Sequence, residues 1–245
     1  MNTYRTNATI AGVLYIVGTV AGVLSLALSQ PLRDASDPLA GAATNAGQVT
    51  IAALFVLLMG LALAMVPVVL YPALKRHSQV LALGYVVFRG ALETFTCFVT
   101  VIAWLLLVAL GKFYVQAGDA AASGFQASGD LLVRAGSGGA VGGIVFCLGA
   151  LMFYAVLYQS RLVPRWITVW GLAAVVPYLA AQFLAVFDLL DPVSSTATLL
   201  FVPMAVQEMV LAAWLIVKGF KVPAAVIEST QSGTHLKEEM SLSAT

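Results

Sequence analysis

The sequence predicts an all-α fold, a six-helix transmembrane bundle with both termini cytoplasmic. Three observations predict it. Of 245 residues, 61% are hydrophobic and only 9% charged, against roughly 25% charged in a soluble domain, and the mean hydropathy is +0.97. Several apolar stretches reach the ~20 residues a helix needs to cross ~30 Å of hydrocarbon. The basic residues fall unequally on the two sides those stretches define. With so little polar sequence to clothe a core in water, soluble enzyme folds, nucleic-acid modules and disulfide scaffolds are excluded. A net charge of +1 also provides no field to recruit nucleic acid.

The first stretch covers residues 8–29. Met1 to Arg5 followed by an apolar run ending Ala27-Leu28-Ser29 also fits a secretory signal. A signal core is about 7–15 residues, shorter than this run, and Gly12, Gly18 and Gly22 suit close helix packing, so a retained helix is the reading adopted. The second stretch is 48–74, the third 80–111, the fourth 139–158, the fifth 166–187 and the sixth 198–217. Pro67, Pro177 and Pro203 interrupt the second, fifth and sixth, where a proline frees a backbone carbonyl and permits a kink. The fourth carries Gly138-x-x-x-Gly142 and Gly139-x-x-x-Gly143, which admit a neighbouring backbone. Trp104, Trp166, Trp170 and Trp214 stand where interfacial belt residues stand.

Most links are short, which makes successive helices antiparallel neighbours. The longer links, 30–47 and 112–138, are rich in Ala, Gly, Ser and Asp and are expected to be loops, the second with one amphipathic turn at Asp130 to Arg134. Residues 1–220 then form one transmembrane domain and 221–245 a flexible cytoplasmic tail. Arg5, Lys75, Arg76, Arg161, Arg165, Lys218 and Lys221 fall on one side of the spans, and Arg33, Lys112 and Arg134 on the other. The richer side is cytoplasmic by the positive-inside rule, in what is read as a cell inner membrane.

The chemistry available is sparse. Cys97 and Cys147 lie inside apolar runs, where a thiol is usually a small buried hydrophobe. His77 and His235 have no partner at metal-ligand spacing, so no metal site is expected. Gly136-Ser137-Gly138-Gly139 lacks the strand and the Lys-Ser/Thr ending of a phosphate loop, so no nucleotide or other cofactor is expected.

Three ionisable residues sit inside expected spans: Arg89 and Glu93 in the third, Glu208 in the sixth. Each costs about 2.5–3.5 kcal/mol at a helix centre, so each needs a partner or a task. Arg89 and Glu93 are four apart, one turn along one helix face. Counted from the cytoplasmic side, Arg89 lies about 16 Å deep and Glu208 about 15 Å at 1.5 Å per residue. The expected arrangement has Arg89 facing both carboxylates inside the bundle, with Gln207 and Tyr85 as further polar partners. With everything ionised the cluster carries a formal charge of minus one, which a proton, a cation or a cationic ligand offsets. The alternative is a purely structural cluster, in which the same residues only fix helix register and packing.

Four blocks carry a family resemblance: Ala11-Gly12-Val13-Leu14-Tyr15-Ile16, Gly84 to Glu93 (Gly-Tyr-Val-Val-Phe-Arg-Gly-Ala-Leu-Glu), Pro164 to Gly171 (Pro-Arg-Trp-Ile-Thr-Val-Trp-Gly), and Glu208 to Phe220. Together they resemble a family of bacterial membrane proteins, the domain of unknown function 4386, over nearly the whole chain to about Lys221. The resemblance implies a small multi-pass inner-membrane protein and supplies no catalytic residues. Two functional classes stay open. One is a non-enzymatic protein that binds or translocates a small or lipidic ligand at Arg89, Glu93 and Glu208, with the lipid bilayer as its surroundings. The other is a membrane enzyme or accessory subunit whose carboxylates do acid/base work on a lipid-soluble substrate. No group positioned as nucleophile accompanies the pair in sequence, so the enzyme reading ranks second.

Overall fold

The computed structural model describes residues 3–33, 35–117, 122–136, 139–191 and 194–221. Residues 222–245 of the expected tail, with His235, and also Asp34, Asp119, Ser137 and Gly138, lie outside the described residues. Every regular element among the described residues is helical: α1 (Thr3–Leu28), α2 (Gln30–Arg33), α3 (Pro38–Thr44), α4 (Ala46–Leu74), α5 (Gln79–Tyr85), a π-helical segment (Val86–Leu92), α6 (Glu93–Ala117), α7 (Ala122–Gly136), α8 (Gly139–Ser160), α9 (Arg165–Val186) and α10 (Ser195–Val217). Six helical runs are long and apolar enough to cross a membrane, the third being the continuous rod α5–π–α6.

Local chemistry sets the ends. Asp37 caps α3 by accepting hydrogen bonds from Leu39 N (3.0 Å) and Ala40 N (3.2 Å). Ser78 accepts from Leu81 N (3.3 Å) to open α5, and Ser194 accepts from Ala197 N (3.2 Å) to open α10. After α10 the chain turns at Gly219, whose φ of 68° lies in the left-handed region that glycine enters without strain. Arg5 covers that end, donating to Ile216 O (3.3 Å) and Val217 O (2.8 Å) at the negative pole of the helix.

The spans close into a ring in chain order: α1 packs on α4, α4 on the third rod, the rod on α8, α8 on α9, α9 on α10, and α10 back on α1. Glycines allow the close approaches expected of the first helix. A Cβ at Gly12 would stand 2.7 Å from the Ala212 carbonyl of α10, and one at Gly18 would stand 2.7 Å from Leu63 of α4. The ring interior is filled by Tyr15, Leu70, Tyr85, Phe153, Tyr154 and Leu211, all buried. The exterior is apolar too. On α4, Ile51, Leu54, Leu58, Leu61, Met65 and Val68 recur every three or four residues and are 45–54% exposed. A helix apolar all round is a membrane span or a core helix of a large protein, and this stripe has no protein cover, so lipid is its solvent and the chain is a multi-pass membrane protein.

The longer links are not plain loops. The third rod spans 39 residues, about 58 Å at 1.5 Å per residue, and overshoots the hydrocarbon at the end opposite the start of α1. There α3 and α7 pack against α6 around Leu32, Leu39, Ala42, Leu107 and Val108, joined by Phe125, Leu132 and Val133. The expectation of one amphipathic turn in 112–138 is therefore corrected to a helix of 15 residues. Its glycines and serines lower intrinsic helix propensity and hide it from the sequence pattern, while packing holds it. A Cβ at Gly129 would stand 2.7 Å from Leu39 Cγ.

Candidate functional site

Arg89 sits in the middle of the π-helical segment, where the backbone widens: Glu93 N–H bonds Phe88 O, five residues back. Such segments are rare and re-aim side chains. Close packing surrounds this one. On α8, a Cβ at Gly149 would stand 3.1 Å from Arg89 N and 3.3 Å from Arg89 Cβ, and one at Gly90 would stand 3.3 Å from Pro67 of α4. The wide turn is thus clasped between two neighbouring spans.

The Arg89 guanidinium is 3% exposed. Its Nη1 donates to both carboxylate oxygens of Glu93, at 2.7 and 2.8 Å. Its Nη2 donates to Glu208 Oε1 at 3.1 Å. The third rod and α10 are not packed neighbours, so the long arginine reaches across the ring to make this bond. Two aromatic rings flank the cation, Phe146 with its centroid at 4.5 Å and Tyr15 at 6.0 Å. Three contacts to carboxylates and two flanking aromatic rings hold this buried cation.

The carboxylates are more open than the cation between them. Glu93 is 17% and Glu208 15% exposed. Both stand on the inward stripes of their helices. Glu208 lies among buried Met204, Gln207, Leu211 and Leu215, and Glu93 lies one turn from buried Arg89 and Cys97. Both carboxylates thus stay partly exposed while the cation between them is enclosed. Glu208 Oε2 makes no hydrogen bond to a described residue. One positive and two negative charges leave the cluster formally at minus one.

The other two residues expected beside Arg89 bond elsewhere. Tyr85 pairs its hydroxyl with that of Tyr15 at 2.8 Å and stacks on Phe153, ring centroids 4.3 Å apart. Gln207 accepts from the Tyr154 hydroxyl and donates to Ile167 O at 3.0 Å, tying α8, α9 and α10 together. Both face the interior, one on the α1 side of the cluster and one on the α9 side, as a polar belt that ties spans to one another.

Sequence reasoning misses Tyr15, Phe146 and Tyr154. A usable signal exists for Tyr15: it stands in mid-span, whereas membrane tyrosines favour the interfaces, so its hydroxyl has to find a partner inside. Phe146 carries no such mark. Among the described residues, no group of three or more His, Cys, Asp or Glu side chains is placed to hold a metal ion. Gln182 is buried against Gly143 and makes no hydrogen bond to a described residue.

No curated protein and no solved structure matches this chain. The profile of the family described as Domain of unknown function (DUF4386) matches residues 10–219, which takes in most of the first span, all of the other five, the π-helical segment and the three charged residues. The chain is therefore a member of the domain of unknown function 4386 family.

Proposed function

We propose that this protein binds or translocates a small or lipidic ligand at the interior cluster of Arg89, Glu93 and Glu208, as a multi-pass protein of the bacterial inner membrane with both termini in the cytoplasm. One observation carries the reading: the cation is enclosed while its two carboxylates stay partly exposed, Glu208 with an oxygen that no described residue engages. A cluster built only for packing gains nothing from an open carboxylate, because an unpaired charge in a low-dielectric interior is destabilising. The surplus negative charge selects a proton or a cationic group over an anion. The seven basic residues at the end where α1 begins and α10 finishes support the cytoplasmic assignment.

Thiol accessibility tests the site. In a background with Cys97 and Cys147 replaced by alanine, single cysteines are introduced at Glu208, at Leu211 on the same inward stripe but fully buried, and at Val206 on the outer face. A membrane-impermeant maleimide applied to sealed vesicles of either orientation is expected to label position 208 and to spare 206 and 211. If 208 is as unreactive as 211 from both sides, no path leads to the carboxylate and the reading fails.

A further inference from the structure

A second feature lies outside the ring interior, at the end where α1 begins and α10 finishes. Four separate pieces of chain meet there, and each brings cations. Arg76, after α4, lies over the Tyr4 ring of α1 at 5.1 Å. Arg5, one residue on, donates to the last carbonyls of α10, beside Lys218. The chain leaving α10 then docks on the α8–α9 turn, where Lys221 N donates to Leu162 O at 2.8 Å, next to Arg161. Arg76, Arg5, Lys218, Lys221 and Arg161 thus follow one another along a continuous arc, all exposed.

None of these five forms an ion pair among the described residues, and no described Asp or Glu lies at this end. Asp37, Asp130, Asp188 and Asp191 are all at the opposite end. The arc also borders exposed apolar surface: Val80, Trp166 and Val217 stand just inside it, on the lipid-facing side. A partner therefore has to present anionic charge at the interface and hydrocarbon immediately beside it.

We propose that this arc is a binding surface for the phosphate headgroups of anionic phospholipids, with the acyl chains lying on the apolar flank. Soluble anions have no use for that flank, and zwitterionic lipids lack the net charge. Each basic residue near such a surface contributes about fivefold in affinity, so removing three lowers it about a hundredfold. The proposal does not depend on the ligand reading of the interior cluster.

The test uses the whole chain in detergent, with thermal unfolding and retained lipid mass as readouts. Phosphatidylglycerol is expected to raise the melting temperature and to stay bound, phosphatidylcholine with the same chains is not, and inorganic phosphate at millimolar concentration is expected to have no effect. The variant combining Arg76→Gln, Lys218→Gln and Lys221→Gln is expected to melt normally in phosphatidylcholine and to lose the preference about a hundredfold. Arg5 is left intact because it holds the end of α10. Equal effects of the two lipids, a matching effect of inorganic phosphate, or a variant that keeps the preference would each overturn the proposal. Should the variant fail to fold, salt decides on the wild type: raising it from about 50 to about 500 mM must erase most of the phosphatidylglycerol effect, and an unchanged effect contradicts an electrostatic surface.

Discussion

Replacing Arg89 by methionine keeps most of the side-chain volume and removes the charge that holds two carboxylates together. The guanidinium makes three contacts of 2.7, 2.8 and 3.1 Å to Glu93 and Glu208. Without it, two like charges face one interior. Removing one partner of a buried ion pair costs about 3–5 kcal/mol. In a chain of 245 residues each kcal/mol moves the melting temperature by about 2–4 °C, so Arg89→Met is expected to melt about 6–20 °C lower. The two native thiols supply the assay, because Cys97 and Cys147 are buried and free and a thiol-reactive fluorophore reports their exposure on heating. Adding Glu93→Gln and Glu208→Gln to Arg89→Met is expected to recover most of the loss, since a cluster without charge leaves nothing unpaired. Arg89→Met melting within about 2 °C of wild type, or a triple variant no better than the single one, would refute the reasoning.

Three further substitutions test the surroundings. Gly149→Leu places a side chain against the Arg89 backbone, 3.1 Å from its nitrogen, and is expected to cost about 1–3 kcal/mol by overpacking, read as an earlier melt. Gly124→Ala meets nothing within 4 Å and is expected to stabilise α7 by about 0.5–1 kcal/mol in the same assay. Gln207→Leu strands the Tyr154 hydroxyl and removes the side-chain tie to the Ile167 carbonyl, and a loss of about 1–3 kcal/mol is expected, read as earlier unfolding on titration with denaturing detergent.

Much of this architecture is legible in the amino-acid sequence. Apolar runs of ~20 residues between short polar links locate six spans because hydrocarbon leaves the backbone no alternative to a helix. The four-residue spacing of Arg89 and Glu93 and the matched depth of Glu208 put three charges in one place because an unpartnered charge in that interior is too costly. Other features leave no mark in the sequence. The π-helical segment at Val86–Leu92 is clasped between α4 and α8, and its Val-Val-Phe-Arg-Gly-Ala-Leu carries no spacing that sets it apart from the α-helical turns around it. That the third rod and α10 lie across the ring from each other follows from its closure, which no local pattern encodes. Phe146 is one phenylalanine in an apolar run until the fold lays it on the Arg89 guanidinium. The helix α7 escapes sequence reasoning because its Gly and Ser content reads as loop, and the overshooting end of α6 is what makes it pack.

The most direct test of the interior site is native mass spectrometry of the protein released from mild detergent, wild type against Glu208→Gln. The glutamine keeps an oxygen to accept from Arg89 Nη2 and removes the surplus charge, so a small mass retained by wild type and lost from a variant of unchanged melting temperature is the expected result. Two spectra without any adduct, together with a variant that melts earlier, would contradict a ligand site and assign the cluster to packing.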